Sequence, residues 1–209
     1  MFKFNVFCNR DMKEKTTNIL QPAPGTLLEV LAHVEKELPE LLNDEKGWNT
    51  LFIDYEKPFV ERMQRQHGEY RINLHRIHPC KTDEALYHPH PWPSAVHIYA
   101  GEYEMAVGYG EGTEQPPVAT LVQTKGEFCY EMTSPDGWHY VRPIDDVVMS
   151  VMISGKPWNR ESPKSEHPLK PLTEEQKKSI LEFFKSHVNR QRGAKSDRYE
   201  RRHLSPCAR

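Results

Sequence analysis

The spacing of hydrophobic and polar positions changes twice along the chain and predicts two helices around a β-rich middle. After Thr26, apolar side chains recur every three or four positions, which indicates an amphipathic helix. Thr26 is a candidate N-cap, Glu29 completes a capping box, and Pro39 is expected to end or kink the helix. A second apolar stripe predicts a helix over Glu174–Asn189, capped by Thr173.

After Gly47 the pattern changes to the two-residue alternation of β-strands. Clusters of Gly, Pro, Ser and Asp separate the segments, with no helical pattern between them. Several short strands in this arrangement favour an all-β sandwich or barrel over a βαβ sheet. The predicted strands are Trp48–Tyr55, Tyr70–Ile77, Ala95–Gly108, Pro117–Gln123, Glu127–Met132, His139–Arg142 and Val147–Ser154.

The second predicted strand has one polar and one apolar face. Arg71, Asn73 and His75 share one side, and Ile72 and Leu74 share the other. If the polar side looks into a barrel, its residues are candidate pocket groups. If it looks at solvent, they have no functional meaning, and the pattern alone does not decide between the two.

Two histidines one residue apart, His88 and His90, come directly before a β-rich segment. On an extended strand, residues i and i+2 point to the same side, so the two imidazoles can converge. His139 follows between a turn signal and an apolar run. Three such imidazoles could form an open metal site, because neutral imidazole is a ligand of Zn, Fe, Ni and Cu. The chain has 11 histidines, so a chance pair is the alternative.

The length of 209 residues suits one domain with appendages, and the charge is nearly balanced, with 28 Lys+Arg against 30 Asp+Glu. We expect an N-terminal extension and helix over 1–47 and a β-barrel over 48–158. A linker and helix over 159–189 and a basic, disordered tail over 190–209 complete the expected organisation. The balanced charge of the body predicts no nucleic-acid partner.

The N-terminal segment has no apolar core of a signal peptide, and no apolar run approaches the roughly 18 residues that span a bilayer. We therefore expect a cytoplasmic protein with no membrane partner. Cys8, Cys80, Cys129 and Cys207 are widely spaced and form no CxxC pair, which favours reduced thiols.

The histidine motifs resemble those of the cupin superfamily over roughly residues 68 to 155. The first cupin motif matches His88-Pro89-His90, then Ser94 and Gly101, and the second matches Pro135-Asp136-Gly137-Trp138-His139. The resemblance implies a mainly β, double-stranded β-helix (a jelly-roll barrel), here with flanking N- and C-terminal helices. It also implies that His88, His90 and His139 hold a divalent metal.

The chain departs from the family pattern where the usual Glu ligand would stand, since Ser94 or Ala95 occupies that position. A cupin without this Glu resembles the three-histidine group that includes cysteine dioxygenase and other thiol dioxygenases, which use Fe(II). Three neutral ligands leave a divalent ion with its full charge, which favours an anionic or thiolate substrate. A degenerate site that binds metal weakly or not at all is the alternative.

Further residues are candidates for the surroundings of this metal. Arg71, Asn73 and His75 could anchor a substrate, and the fork of Arg71 suits a carboxylate. His97 could be a ligand or lie beside one, and the rings of Trp92 and Tyr140 could shape a pocket. Tyr99 and Tyr103 could supply a phenol to the reaction as catalytic groups.

These features favour a non-haem Fe(II) dioxygenase acting on a small polar thiol or carboxylate. Two other functions remain open: a Zn, Mn or Ni cupin with isomerase or lyase activity, and a non-catalytic cupin that binds or senses a small ligand. A homodimer through the N-terminal helix is expected by analogy with the family.

Overall fold

The computed structural model describes residues 7–8, 26–111, 114–116, 120–125 and 127–203. Eleven strands and two helices follow one another in the described part of the chain. They are β1 (Phe7–Cys8), α1 (Leu27–Leu41), β2 (Asn49–Ile53), β3 (Val60–His67), β4 (Tyr70–Ile77), β5 (His88–Pro89), β6 (Ser94–Ala100), β7 (Glu102–Tyr109), β8 (Thr120–Lys125), β9 (Phe128–Met132), β10 (Gly137–Pro143), β11 (Val148–Ser154) and α2 (Glu174–His203).

The strands form two sheets in which every described pair is antiparallel. The larger sheet has the order β1-β9-β6-β11-β4-β3-β2, and the smaller has the order β5-β10-β7-β8. The eight strands from β4 to β11 are therefore divided as β4-β11-β6-β9 and β5-β10-β7-β8, which is the strand order of a jelly roll. This confirms the predicted mainly β fold with flanking helices. Among the described strands the two sheets stay separate, so the architecture is a sandwich and not a closed barrel.

One hydrophobic core lies between the larger sheet and the two helices. Alternate residues of β4 and β11, such as Leu74 and Val151, point to this side and pack on apolar side chains of both helices. α1 begins as predicted, because the Thr26 hydroxyl accepts a hydrogen bond from the Glu29 amide. Pro39 lies inside the last turn of α1, which ends two residues later at Leu41.

A second hydrophobic core lies between the two sheets. Val96 and Ile98 of β6 meet Met105 and Val107 of β7 there, and Met152 of β11 joins them. Because Ile72 and Leu74 belong to the helix-facing core, the polar side of β4 faces the inter-sheet space. The inter-sheet space thus contains both apolar side chains and polar side chains.

The observed elements differ from the predicted ones at three points. The predicted strand Ala95–Gly108 is two strands, β6 and β7, which turn at Gly101 with φ of +93°. β3 was not predicted, and neither were the two-residue strands β1 and β5. α2 continues past Asn189 to His203. Residues 117–119 of the strand predicted over Pro117–Gln123 lie outside the described residues, as do Cys207 and the rest of 204–209.

None of the described helices combines the length and the apolar character that a membrane crossing requires.

Candidate metal centre

The three predicted histidine ligands meet between the sheets at one end of the sandwich. β5 pairs with β10 so that His88 stands opposite His139, and the His90 amide donates to the Gly137 carbonyl at 3.1 Å. The ring centres of His88 and His139 are 4.8 Å apart, as are those of His90 and His139. The pairing of β5 with β10 thus brings His88 and His90 close to His139, which lies about 50 residues later in the chain.

Backbone carbonyls fix the tautomer of two of these rings. Nδ1 of His88 lies 2.9 Å from the Leu86 carbonyl, and Nδ1 of His90 lies 2.7 Å from the Trp92 carbonyl. A carbonyl oxygen only accepts, so each Nδ1 carries the proton and each Nε2 presents a lone pair. This is the arrangement in which metal-binding histidines are usually held. Nδ1 of His139 is buried and has no hydrogen-bond partner among the described residues.

The spacing of the rings fits shared ligation. An imidazole that binds a metal at about 2.1 Å has its ring centre about 3.2 Å from the ion, so two such rings about 100° apart have centres about 4.9 Å apart. As they stand, however, no three His, Cys, Asp or Glu side chains of the described residues are arranged to hold a metal ion. The two ring pairs that include His139 have centres at ligation spacing, but the ring nitrogens do not converge on one point.

The environment keeps all three imidazoles neutral, the form in which they bind metals. Burial lowers the pKa of His88, and the nearby Arg62 lowers it further against the effect of the Leu86 carbonyl. Burial, with the neighbouring His88, lowers the pKa of His90 to about 3. The pKa of His139 lies well below its ordinary value because the ring is buried beside the other two.

Ser94, which stands where the cupin motif usually has Glu, is buried beside the ring of His90. Its hydroxyl lies 3.4 Å from Nδ1 of His90, on the side of the ring away from Nε2. Ser94 therefore supports the orientation of a ring and adds no charge to the site. The candidate centre has three neutral donors and no carboxylate among them.

The three rings line a cavity of about 240 Å³ between the sheets. This is slightly below the range of about 300–1,000 Å³ common for drug-sized ligands, so the cavity suits a small metabolite. Ser162, Pro163 and Leu169 cover part of it, and they belong to the segment that leads to α2. Most of the remaining wall is apolar and includes Ile77, Val96, Ile98, Val141, Val148 and Met152.

Arg62 of β3 also lines this cavity, and the sequence analysis missed it. Its Nε donates to Nε2 of His75 at 2.9 Å, and Nδ1 of His75 lies 3.5 Å from the Ser150 hydroxyl. Burial, with the charge of the neighbouring Arg71, lowers the pKa of Arg62 to about 10. The alternate positions Val60, Arg62 and Gln64 could have indicated a strand, but polar residues on both faces of β3 conceal the pattern.

Tyr103 is the predicted phenol that lies at the cavity. Its hydroxyl donates to the Tyr130 hydroxyl at 2.6 Å, and both rings line the wall. Burial, with the neighbouring Tyr130, raises the pKa of Tyr103 well above its ordinary value. Both phenols are therefore protonated at neutral pH and can donate or accept hydrogen bonds.

Among the predicted substrate-binding residues, His75 and Trp92 line the cavity. Arg71 lies behind Trp92, with its guanidinium 4.6 Å from the centre of the indole ring. Asn73 is fully buried, and its amide approaches the Met152 carbonyl at 3.5 Å. Neither Arg71 nor Asn73 contributes to the cavity wall.

His97, Tyr99 and Tyr140 lie away from the cavity. His97 and Tyr99 have the opposite parity to Val96 and Ile98 on β6, so they face the helices, where both contact Glu35. Tyr140 follows His139 on β10 and faces outwards from the smaller sheet. Its hydroxyl donates to a Glu104 carboxylate oxygen at 3.0 Å. The structure does not bring these three side chains to the three-histidine cluster.

Comparisons with known proteins give only distant likenesses. No protein-family model matches the chain, and no curated protein matches it. Solved structures of low similarity include the iron(II) form of HppE, with 10% identity and a TM-score of 0.41. The match covers 53% of this chain and 57% of HppE. The hydroxypropylphosphonic acid epoxidase of S. wedmorenis matches with 10% identity, a TM-score of 0.41 and coverage of 53% and 56%.

HEPD of Streptomyces albus, solved with 2-hydroxyethylphosphonate and Fe(II), matches with 8% identity and a TM-score of 0.36. That match covers 47% of this chain and 21% of HEPD. The chain thus spans little more than half the length of the first two proteins. We draw neither a family nor a reaction from these likenesses.

Proposed function

We propose that the chain is a metal-dependent cupin-like enzyme, a non-haem Fe(II) dioxygenase that acts on a small polar thiol or carboxylate. One observation carries the proposal: three neutral imidazoles line a cavity of metabolite size, and the ring of His139 lies at ligation spacing from those of His88 and His90. His88, His90 and His139 would hold the metal. Bound there, Fe(II) would supply a redox-active ion with open positions for oxygen and substrate.

The protein's own groups would prepare the site for this chemistry. The carbonyls of Leu86 and Trp92 hold the Nδ1 protons of His88 and His90, which keeps both Nε2 lone pairs available. The apolar wall excludes water and lowers the local dielectric constant, so that charges in the cavity interact strongly. The Tyr103 hydroxyl donates its proton to Tyr130, so it can accept a hydrogen bond from a substrate, whereas the Tyr130 hydroxyl has its own proton to donate.

A non-catalytic ligand-binding protein is the second candidate, because the histidine nitrogens do not yet converge on one point. In that case the cavity would bind its ligand with or without metal. A Zn, Mn or Ni enzyme with isomerase or lyase activity would use the same three ligands without a change of oxidation state. Metal identity and the effect of histidine replacement separate these possibilities.

The test is the metal content of untagged protein, measured by mass spectrometry for the wild type, His88→Ala and His139→Ala. His33→Ala is the matched control, since His33 is exposed on α1, with 69% of its side chain accessible. We expect about one iron per chain in the wild type and the control, and little in the two site variants. Oxygen uptake with small thiols and acids should follow the iron content.

If the protein instead contained about one zinc, manganese or nickel ion per chain, the non-redox enzyme would become the favoured function in place of the dioxygenase. Protein that contains no metal and takes up none on anaerobic reconstitution with Fe(II) would overturn the proposal. Equal metal content in all four proteins would also overturn it, because the ion would then lie elsewhere.

A further inference from the structure

Arg62 brings a positive charge into the cavity without a carboxylate to balance it. Its guanidinium donates one hydrogen bond within the described residues, from Nε to the His75 ring. Among those residues, no carboxylate lies within ion-pair distance of Arg62. A buried charge that lacks a counterion is costly, and proteins retain one mainly where a ligand balances it.

His75 positions this charge but does not neutralise it. Since the Arg62 Nε donates, Nε2 of His75 must accept, and its remaining proton is on Nδ1, next to the Ser150 hydroxyl. The ring is thus neutral and uses both nitrogens to orient the guanidinium. Arg71, stacked on Trp92, adds a second cation close enough to perturb Arg62.

The other charged groups of the wall do not cancel this field. Glu56 is the only carboxylate among the described residues that line the cavity, and it is exposed. Lys57, the other cation of the wall, is paired with Glu84 at 2.7 Å. Three neutral histidines add nothing negative. The cavity therefore has an excess of positive charge, which would increase with a divalent ion in place.

Most of the remaining wall is apolar, and among the described residues that line it Glu56 is the one acidic side chain and is exposed. Ile77, Val96, Ile98 and Met152 face the inter-sheet space, and all are buried. A protonated amine in this space would need a carboxylate or an open aromatic face, and the cations would repel it. The face of Trp92 is already occupied by Arg71.

We infer that Arg62 is the anchor for a small organic oxyanion, such as a carboxylate, whose body is apolar and carries no ammonium group. The fork of a guanidinium matches two oxygens of such an anion, and His75 and Ser150 hold that fork in place. The inference rests on the proposed function for its location, since it assigns the substrate class of the same cavity. It differs from the sequence prediction, which assigned this role to Arg71.

Pentanoate, norvaline and pentylamine form a matched set of probes, because they share an apolar chain and differ in charge. Calorimetric titration of anaerobic protein as purified would compare the wild type with Arg62→Met, Arg62→Lys and Lys178→Met. Lys178 is an exposed cation of α2, with 76% of its side chain accessible, and controls for a general loss of positive charge. Thermal melting without ligand would verify the folding of each variant.

We expect the wild type and Lys178→Met to bind pentanoate within about threefold of each other. Arg62→Met should bind at least about tenfold more weakly, as is usual when a charged hydrogen bond is lost. Arg62→Lys should be intermediate, because it keeps the charge and loses the fork. Norvaline should bind at least about tenfold more weakly than pentanoate, and pentylamine weaker still. The ligand-free melting temperature of Arg62→Met should fall little or rise, since an unbalanced buried charge is removed.

Equal binding of pentanoate by the wild type and Arg62→Met would overturn the inference, as would preferred binding of norvaline or pentylamine. Absence of pentanoate binding at millimolar concentration would overturn it as well. Metal content separates this failure from failure of the proposed function. Arg62-dependent binding to protein that takes up no metal would support the anion site alone, whereas metallated protein that ignores pentanoate would refute only the anion site.

Discussion

Gly101 connects β6 to β7 in a conformation that other residues rarely adopt. Its φ is +93°, and an added Cβ would lie 2.7 Å from the Val147 carbonyl oxygen and 2.7 Å from a methyl group of Val148. The turn sends β7 to the opposite sheet, and β7 then supplies Tyr103 to the cavity wall. The motif glycine is thus required by the backbone angle and by the space available.

Replacing Gly101 by Ala should destabilise the protein by about 3 kcal/mol, from the left-handed conformation and the displacement of Val148 together. Gly68→Ala is the matched control. Gly68 also has a positive φ, +59°, but no atom of the described residues lies within 4 Å of an added Cβ, so only about 1 kcal/mol should be lost. Urea denaturation of both variants measures the difference. Similar losses in the two proteins would show that space at Gly101 is not limiting.

At the scale of elements, α1 is attached to the larger sheet by a partly buried carboxylate, that of Glu35. Glu35 accepts hydrogen bonds from Nδ1 of His97 at 2.5 Å and from the Tyr99 hydroxyl at 3.0 Å. Burial alone would lower the pKa of His97, but its hydrogen bonds with Cys129 and Glu35 raise it to about 10. His97 and Tyr99, proposed from the sequence for the site, are thus placed to stabilise the contact between α1 and β6.

Because the folded pKa of His97 exceeds the ordinary value of 6.5, its stabilisation is complete below about pH 6.5 and disappears as the pH rises towards 10. Glu35→Gln should therefore cost about 3 kcal/mol at pH 6 and clearly less at pH 10. Denaturation curves at several pH values measure this. Glu37→Gln, on the same helix but facing the more exposed His33 and His67, should cost less than about 1 kcal/mol. A penalty for Glu35→Gln that does not change with pH would contradict the assignment.

The sequence predicted strands that contain apolar runs or an apolar alternation and missed β3, which carries polar groups on both sides. On β3, Glu61 pairs with Arg76 and His78 on one side, and Arg62 points into the cavity on the other. Such a strand has no apolar alternation to detect. The histidine pair, by contrast, was visible because its spacing is local. Its approach to His139 depends on β5–β10 register, which only the motif resemblance suggested.

The alternation of side chains along a strand shows which sheet face a residue points to only where the orientation of a neighbouring residue is known. It placed His75 on the cavity side once Ile72 and Leu74 were assigned to the core, and it left His97 undecided because Pro91 and Pro93 interrupt the strand. The position of Arg62, and hence the charge of the cavity, required the packing of one sheet against the other. The histidine cluster could therefore be predicted from the sequence, whereas the position of Arg62 in the cavity could not.

At the scale of the whole molecule, the buried histidines between the sheets should make the fold sensitive to acid. Burial lowers the pKa of His75, His88, His90 and His139, and that of His90 falls to about 3. Below the unfolded value of about 6.5, the unfolded chain binds protons that the folded chain excludes. Stability must then fall as the pH decreases, by up to about 1.4 kcal/mol per pH unit for each such ring.

The metal-free protein, kept in chelator, should therefore lose stability between pH 7 and pH 5, before most carboxylates titrate. His75→Gln tests the contribution of one ring that is not a proposed ligand. Its side-chain oxygen can still accept from Arg62, but it binds no proton, so the fall with pH should become shallower by up to one proton. His33→Gln, at an exposed position, should leave the slope unchanged. Urea denaturation at pH 7, 6 and 5 measures all three slopes. If the wild type and His75→Gln gave parallel curves, the His75 ring would be protonated or solvated in the folded state, and the neutral acceptor that orients Arg62 would be lost with it.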